Sequence, residues 1–348
     1  MPLRKPAGLA ALLLVLACAS GCWGGARYRG PDSDHFDGSR FSNLSGVERP
    51  SVRSEVFYHL FSGHGAWPDH VEVDPCDRPP KRVGRGELRY TWITHNTVLI
   101  QTDGMNILTD PIWSKRASPW RVSGPRRVSD PALAMDDLPP IDLILVTHNH
   151  YDHMDLPTLL ELQERFHPRV LAGLGDDAYL RGKGLADVAG MDWWDTARAG
   201  RLRVHFVPAQ HFSGRGLGDA NRSLWGGFVI ESSWGRTYVV GDTGYGDFFR
   251  LIRRRIGTPD LTLIPIGVYE PRELMRLVHI SPRDAVMAHV DLGSRRTVGI
   301  HYGTFSLGSE GYDDPVYDLA EALAEIDTGD TAFSPGRLGE AVTLKAAR

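Results

Sequence analysis

The sequence predicts an α/β fold in which sheet layers lie inside helices, and three observations predict it. Beyond Arg85, short apolar runs bounded by Gly, Asp and Pro recur at strand length. Helical patterns fall between them in both halves of the chain, as expected where helices cover sheets from outside. With 348 residues, 42% hydrophobic side chains and no repeat at a solenoid period, the chain is globular and long enough for one large domain or two modest ones.

The first residues stand apart. Arg4 and Lys5 precede an apolar run over residues 9–19, about half the length a bilayer span needs, so residues 1–21 read as a secretory signal. Their end, ASGC, resembles a bacterial lipoprotein processing site, which implies cleavage before Cys22 and diacylglycerol on its sulfur. Plain cleavage nearby is the other reading; VLAC, ending at Cys18, is a poorer site because Leu16 stands where a small residue is usual. The expected location is a bacterial cell envelope, on the periplasmic side of a membrane. Removing residues 1–21 takes two cations and no carboxylates, leaving 37 Lys and Arg against 43 acidic residues and a net charge of −6. That balance gives no footprint for nucleic acid. A chain beginning at a lipidated Cys22 keeps only Cys76 as a thiol, so its core, and metal if it binds any, must hold it together.

Residues 22–85 are rich in Gly, Pro, Ser, Asp and Arg and show no sustained period, which predicts an arm draped over a domain spanning 86–348. Val56, Phe57, Leu60 and Phe61 recur at helical spacing within the arm, followed by Trp67. They suit core packing, or a helix facing lipid or substrate. The domain then offers strands in LRYTWI, TVLIQT, MNILT, IDLILV, RVLAG, LRVHFVP, WGGFVIE, RTYVVG, DLTLIPIG and TVGIHYG. Helices are expected over 156–166, 246–256, 281–291 and 316–325, with Ser281 as a cap and Pro282 in a first turn.

The stretch THNHYDHMD, residues 147–155, leaves the run IDLILV carrying His148, His150, Asp152 and His153. Burying such groups unpaired is costly, and a metal is the first candidate to compensate them. Imidazole and carboxylate suit zinc and similar ions, and a hydrolytic site keeps one position open for water. Donors two apart on a loop can turn toward one point and the next pair toward a neighbouring one, so one segment can serve two metals. Chance would produce H-x-H-x-D-H in roughly two of a thousand such chains, which leaves a surface histidine cluster a poor alternative. Further donors are expected at strand ends, and His211, Asp242 and His301 stand there. Each alone is weak, since Asp before Thr-Gly is a common turn; their recurrence at strand C-termini raises them.

The H-x-H-x-D-H loop followed by His211, Asp242 and His301 resembles the metallo-β-lactamase superfamily, which implies an αββα sandwich, here with an N-terminal extension. The segments LTDPIWSKRASP, GPRR, DWWD, SLWGGF, GDTGY and IHYGTFSL narrow it. They resemble the N-acylphosphatidylethanolamine-hydrolysing phospholipase D family and its bacterial relatives, over about residues 90–307. The resemblance implies two Zn²⁺ per chain: His148, His150 and His211 on one, Asp152, His153 and His301 on the other, and Asp242 bridging. It further implies that Asp110 and Asp152 belong to the catalytic set, Asp110 by orienting a ligand histidine or the bridging water. His279 would lie near the substrate phosphate, with Tyr151 a second substrate contact; Val278 stands where the family's mammalian member has glutamine.

The implied reaction is attack of hydroxide on a phosphodiester, with no protein nucleophile. His279 as imidazolium would stabilise charge or protonate the leaving group, or it would be structural at the entry of the helix begun by Ser281 and Pro282. Trp120, Trp193, Trp194 and Trp225 are candidates for an apolar route, although buried tryptophans are commoner than lipid contacts. Arg250, Arg253 and Arg254 share a helix face that suits solvent, or anionic head groups. The expected function is thus a zinc phosphodiesterase converting N-acylphosphatidylethanolamine-like phospholipid to phosphatidic acid and N-acylethanolamine. The membrane partner would be met through a lipid anchor. Other readings are a lactonase or hydrolase of small esters or cyclic phosphates, and a surface lipoprotein whose metals only stabilise the fold.

Overall fold

A computed structural model describes residues 25–48, 65–74, 76–120, 122–216 and 218–346. Residues 1–21, Cys22 and the helical pattern around Val56 and Phe61 lie outside them. The strands are β1 Glu87–Thr94, β2 Thr97–Thr102, β3 Met105–Thr109, β4 Leu143–Val146, β5 Arg169–Gly173, β6 Val188–Met191 and β7 Thr196–Ala199. They continue as β8 Leu202–Val207, β9 Gly227–Glu231, β10 Arg236–Val239, β11 Leu261–Pro265, β12 Arg296–Ile300, β13 Ala332–Pro335 and β14 Ala341–Lys345. The helices are α1 Leu156–Phe166, α2 Asp176–Gly182, α3 Phe248–Ile256, α4 Arg272–Met275, α5 Pro282–Leu292 and α6 Asp314–Glu325.

Two seven-stranded mixed sheets form, in the orders β14-β1-β2-β3-β4-β5-β6 and β13-β12-β11-β10-β9-β8-β7. Strand β4 shows why the apolar runs are continuous instead of alternating. Leu143 and Leu145 enter the core between the sheets, with Phe206, Phe228 and Leu263 from the second sheet. Ile144 and Val146 face outward and are covered by Leu159 and Leu162 of α1 and Leu180 of α2. A strand buried on both faces needs apolar residues at every position. On the far side of the second sheet, Phe249 and Ile252 of α3, Val286 and Leu292 of α5 and Leu319 of α6 cover Val229, Val240 and Ile264. The layers are therefore α, β, β, α, as the sequence predicts. Helix α5 begins with a complete capping box, Ser281 accepting from the Asp284 amide while the Asp284 side chain accepts from Ser281.

Strands β3 to β6 run parallel, as do β10 to β13. Strand β1 is antiparallel to β2, which is antiparallel to β3, and β8 stands in the same relation to β10 through β9. The C-terminal ends of β1, β3 and β4 thus share one edge of their sheet, and those of β8, β10 and β12 share one edge of theirs. The segment 25–48 carries isolated bridges and no helix or longer strand. Its Phe36 and Phe41 are buried in the core between the sheets.

Candidate metal centre

The donors leave the strands within a few residues of their ends: His95 after β1, Asp110 after β3, His148 after β4, His211 after β8, Asp242 after β10 and His301 after β12. Three of these exits are left-handed, with φ of 43° at His95, 35° at Asp110 and 65° at His301. Non-glycine residues in that region cost about 1 kcal/mol or more each and cluster at functional sites. Before Asp242 the same conformation falls on Gly241 (φ 69°), where a Cβ would lie 2.9 Å from Thr147 Cβ. Only glycine lets the β10 exit approach the His148 loop this closely.

Two groups of donors assemble, and within each one ligand atom per residue lies within 4.8 Å of all the others. The first is His148, His150, His211 and Asp242; the second is His95, Asp152, His153 and His301. In the first, His150 Nδ1 is 2.9 Å from His148 Nε2 and 3.2 Å from His211 Nε2. In the second, Asp152 Oδ2 is 3.0 Å from His95 Nε2 and 3.2 Å from His153 Nε2, and His153 Nε2 is 3.1 Å from His301 Nε2. Asp242 faces both: its Oδ2 is 3.8 Å from His211 Nε2 and 3.3 Å from His153 Nε2, while its Oδ1 is 3.1 Å from His301 Nε2.

The outward nitrogens fix which ring atoms turn inward. His211 Nδ1 donates to Val278 O (2.8 Å) and His153 Nδ1 to Asp110 Oδ2 (2.8 Å), so both present Nε2. Asp110 is fully buried and also accepts from Thr147 N, Thr147 Oγ1 and Asn96 Nδ2 at 2.6–2.7 Å. It is therefore placed to orient His153. The His148 loop is tied at both ends by Arg215, whose Nη1 donates to Asn149 O (2.7 Å) and Met154 O (2.9 Å). Asn149 Nδ2 donates to Asp176 Oδ1 and Ser223 Oγ, at 3.0 and 2.8 Å.

Burial drives the His148 and His211 imidazoles well below their ordinary range, His150 to about 4 and His95 to about 3. Neutral rings are the form that binds metal. Asp152 and Asp242 stay well below the carboxylate range: burial opposes their charge, and the surrounding histidines, His153 foremost, together more than compensate it. Three lone pairs converging at 2.9–3.2 Å cannot all be satisfied by one another's protons. A tetrahedral ion with nitrogens at about 2.0–2.1 Å would space them by about 3.3 Å. The residues thus fit divalent cations at both groups, with Asp242 able to serve the two.

His279 sits beside the donors, its Nδ1 3.8 Å from Asp242 Oδ2 and without a hydrogen-bond partner among the described residues. Burial pushes its pKa down to about 4, so the ring offered at neutral pH is the neutral one, unlike the imidazolium expected from the sequence. Tyr151 donates its hydroxyl to Arg215 O (2.9 Å), and the Arg215 guanidinium stacks on its ring at 3.9 Å. Trp193 and Trp225 are core residues, the Trp193 indole donating to Trp225 O, whereas Trp120 is 38% exposed. Arg250 is engaged by Asp291 and Asp247.

Sequence reasoning missed His95, Asn96 and Arg215. The first had a signal, since His95 ends an apolar strand at the same edge as the other donors. Arg215 had none, lying in a loop without helix or strand.

Fold and donor set together define a metal-dependent hydrolase. The chain belongs to the beta-lactamase superfamily, in its metallo-hydrolase branch: the family model described as "Beta-lactamase superfamily domain" matches residues 105–302. An uncharacterized protein of Mycobacterium tuberculosis is 39% identical over 281 residues, covering 79% of this chain and 74% of that protein. N-acyl-phosphatidylethanolamine-hydrolyzing phospholipase D 1 of Caenorhabditis elegans is 36% identical over 264 residues, 72% of this chain and 74% of that one. Among solved structures, Igni18, a metallo hydrolase from Ignicoccus hospitalis, matches with a TM-score of 0.55 at 22% identity, covering 75% of this chain and all of that one, a likeness of fold alone.

Proposed function

We propose that the chain is a zinc phosphodiesterase of phospholipase D type, converting N-acylphosphatidylethanolamine-like phospholipid to phosphatidic acid and N-acylethanolamine in a bacterial cell envelope. The observation that carries this reading is the pair of donor groups facing one shared carboxylate, Asp242, in a chain 36% identical to an enzyme of that activity.

Two zinc ions at such a site supply Lewis-acid polarisation of a phosphoryl oxygen and a hydroxide nucleophile at neutral pH. His148, His150 and His211 would hold one, and Asp152, His153, His301 and His95 the other, with Asp242 between them. Asp110 keeps the His153 proton on Nδ1 and so keeps Nε2 available. His279, with Nδ1 unpartnered beside Asp242, would hydrogen-bond the substrate phosphate or the departing oxygen. Phe212 packs edge-on against His150 and tilted against His211, with ring centroids 4.5 and 4.8 Å away, and gives the site an apolar wall. Tyr151 would meet substrate through its ring edge, because its hydroxyl and one face are engaged by Arg215. Among the described residues no helix is long and apolar enough to cross a membrane; in this reading Cys22 supplies the membrane anchor.

In the proposed reaction water oxygen bonds to phosphorus, the bond from phosphorus to the ethanolamine oxygen breaks, and that oxygen takes up a proton. Hydrolysis in ¹⁸O-labelled water is expected to place the label in phosphatidic acid and leave N-acylethanolamine unlabelled. Label in the alcohol, or release of free fatty acid, would refute the phosphodiesterase and put the lactonase or esterase reading first.

A further inference from the structure

We infer that the N-terminal arm completes the metal centre, and that Asn43 is a positioning residue for the ligand His211. Among the described residues between Pro208 and Gly226 there is neither helix nor strand to fix His211. One side chain holds both of its main-chain groups instead. Asn43 Oδ1 accepts from His211 N (2.9 Å), and Asn43 Nδ2 donates to His211 O (2.9 Å). A carboxamide matches a peptide group donor to acceptor, so the pair works as a one-residue strand bridge across 168 positions of sequence.

The same amide accepts from Trp225 Nε1 (3.1 Å) and donates to Val47 O (2.8 Å), which fixes its orientation. Ser45 then donates to Gln210 Oε1 (2.8 Å). Gln210 accepts at its carbonyl from Gly244 N (2.7 Å) and donates from Nε2 to Leu277 O (3.0 Å). Arm, Asp242 turn and His279 loop therefore meet at residues 210 and 211. The family match starts at residue 105 and leaves the arm out, yet Asn43 is 7% exposed and Phe41, two residues before it, 2%.

Groups that orient metal ligands change affinity by about 10- to 100-fold when removed. Linkage requires the converse: if the docked arm raises affinity for the ion at His211, that ion stabilises the docked arm. The inference rests on the metal reading of the donor groups, and two measurements on the full chain test it. In zinc titrations of metal-free protein, Asn43→Ala is expected to weaken one of two binding steps by roughly 10- to 100-fold, leave the other within about twofold, and regain turnover in excess zinc. In the wild type, zinc is expected to slow hydrogen exchange at the Phe41, Ser42 and Val47 amides. Wild-type zinc affinity in Asn43→Ala despite a lowered Tm would reduce Asn43 to a structural contact and overturn the inference. So would exchange in the arm that ignores zinc, a result that stands even if the variant fails to fold. A wild type that takes up no zinc would overturn the metal reading as well.

Discussion

His153 is as buried as its neighbours yet carries the opposite charge preference. Burial alone would lower its pKa, but the carboxylates of Asp242, Asp152 and Asp110 around it raise it well above the ordinary 6.5. The metal-free centre thus favours an imidazolium on His153, whereas His95, His148, His150 and His211 favour the neutral ring. The His153 Nδ1 proton belongs to Asp110, so an arriving cation must displace the proton on Nε2. Zinc loading near pH 7.5 is therefore expected to release at least one proton per chain, that of His153, besides any lost by metal-bound water. Calorimetric titration in buffers of different ionisation enthalpy measures this, and release of none would contradict the charge assigned to His153. The signs for stability of the metal-free protein follow. The His153 contribution is fully present below 6.5 and is lost as pH rises through its raised value. The depressed rings act oppositely: the unfolded chain takes up protons below 6.5 while His150 and His279 stay neutral to about 4, so stability falls between those values. Most of this centre was legible because H-x-H-x-D-H is local and the other donors follow apolar runs. Asn43 was not, because its partner lies 168 residues away and nothing nearby in sequence marks the pairing.

Elements buried on both faces announced themselves, and half-exposed ones did not. The ten apolar runs became strands, while β6, β7, β13 and β14 escaped notice; β7 and β13 each have at least two exposed residues and β14 has none buried. Helix α2 was missed because its seven residues bury only Asp176 and Leu180, too little for a periodic stripe. The connection between β3 and β4 carries a different signal. From Pro111 to Ser129 it has five basic residues, Lys115, Arg116, Arg121, Arg126 and Arg127, and no acidic one. Buried Arg127 pins its base, donating to Ser114 O, Ile112 O and Thr94 Oγ1 and lying over the Phe305 ring, which in turn packs on His95. Trp120 is 38% and Val122 87% exposed. An exposed aromatic and aliphatic pair among cations suits the interface of an anionic bilayer. Trp120→Ala with Val122→Ser is expected to reduce binding to anionic vesicles on the order of tenfold while leaving hydrolysis of a water-soluble phosphodiester unchanged. Equal binding by the variant in vesicle sedimentation would remove this loop from the interface.

At the scale of the whole molecule, both sheets deliver donors at one edge, and the described chain begins close to that edge. Gly25 donates its amide to Asp219 Oδ2, and Asp219 also accepts from the amides of Arg215 and Gly216. Arg215 is the residue that clamps both ends of the His148 loop. Cys22 precedes Gly25 by three residues, a reach of at most about 11 Å for an extended chain. A diacylglycerol on Cys22 would accordingly hold the metal edge, and not the opposite end of the sandwich, against the bilayer. Two acyl chains suffice for stable anchoring, so the anchor would hold the protein at the bilayer and the basic loop would orient it there. Cys22→Ser is expected to move the protein from the detergent phase to the aqueous phase on partitioning. It should also lower turnover of vesicle-embedded phospholipid while sparing the same phospholipid dispersed in detergent, because the variant loses proximity to the substrate and keeps its metal centre. An unchanged phase distribution would mean that Cys22 is not lipidated, and equal loss on both substrate forms would mean that the substitution harms the site and not the tether.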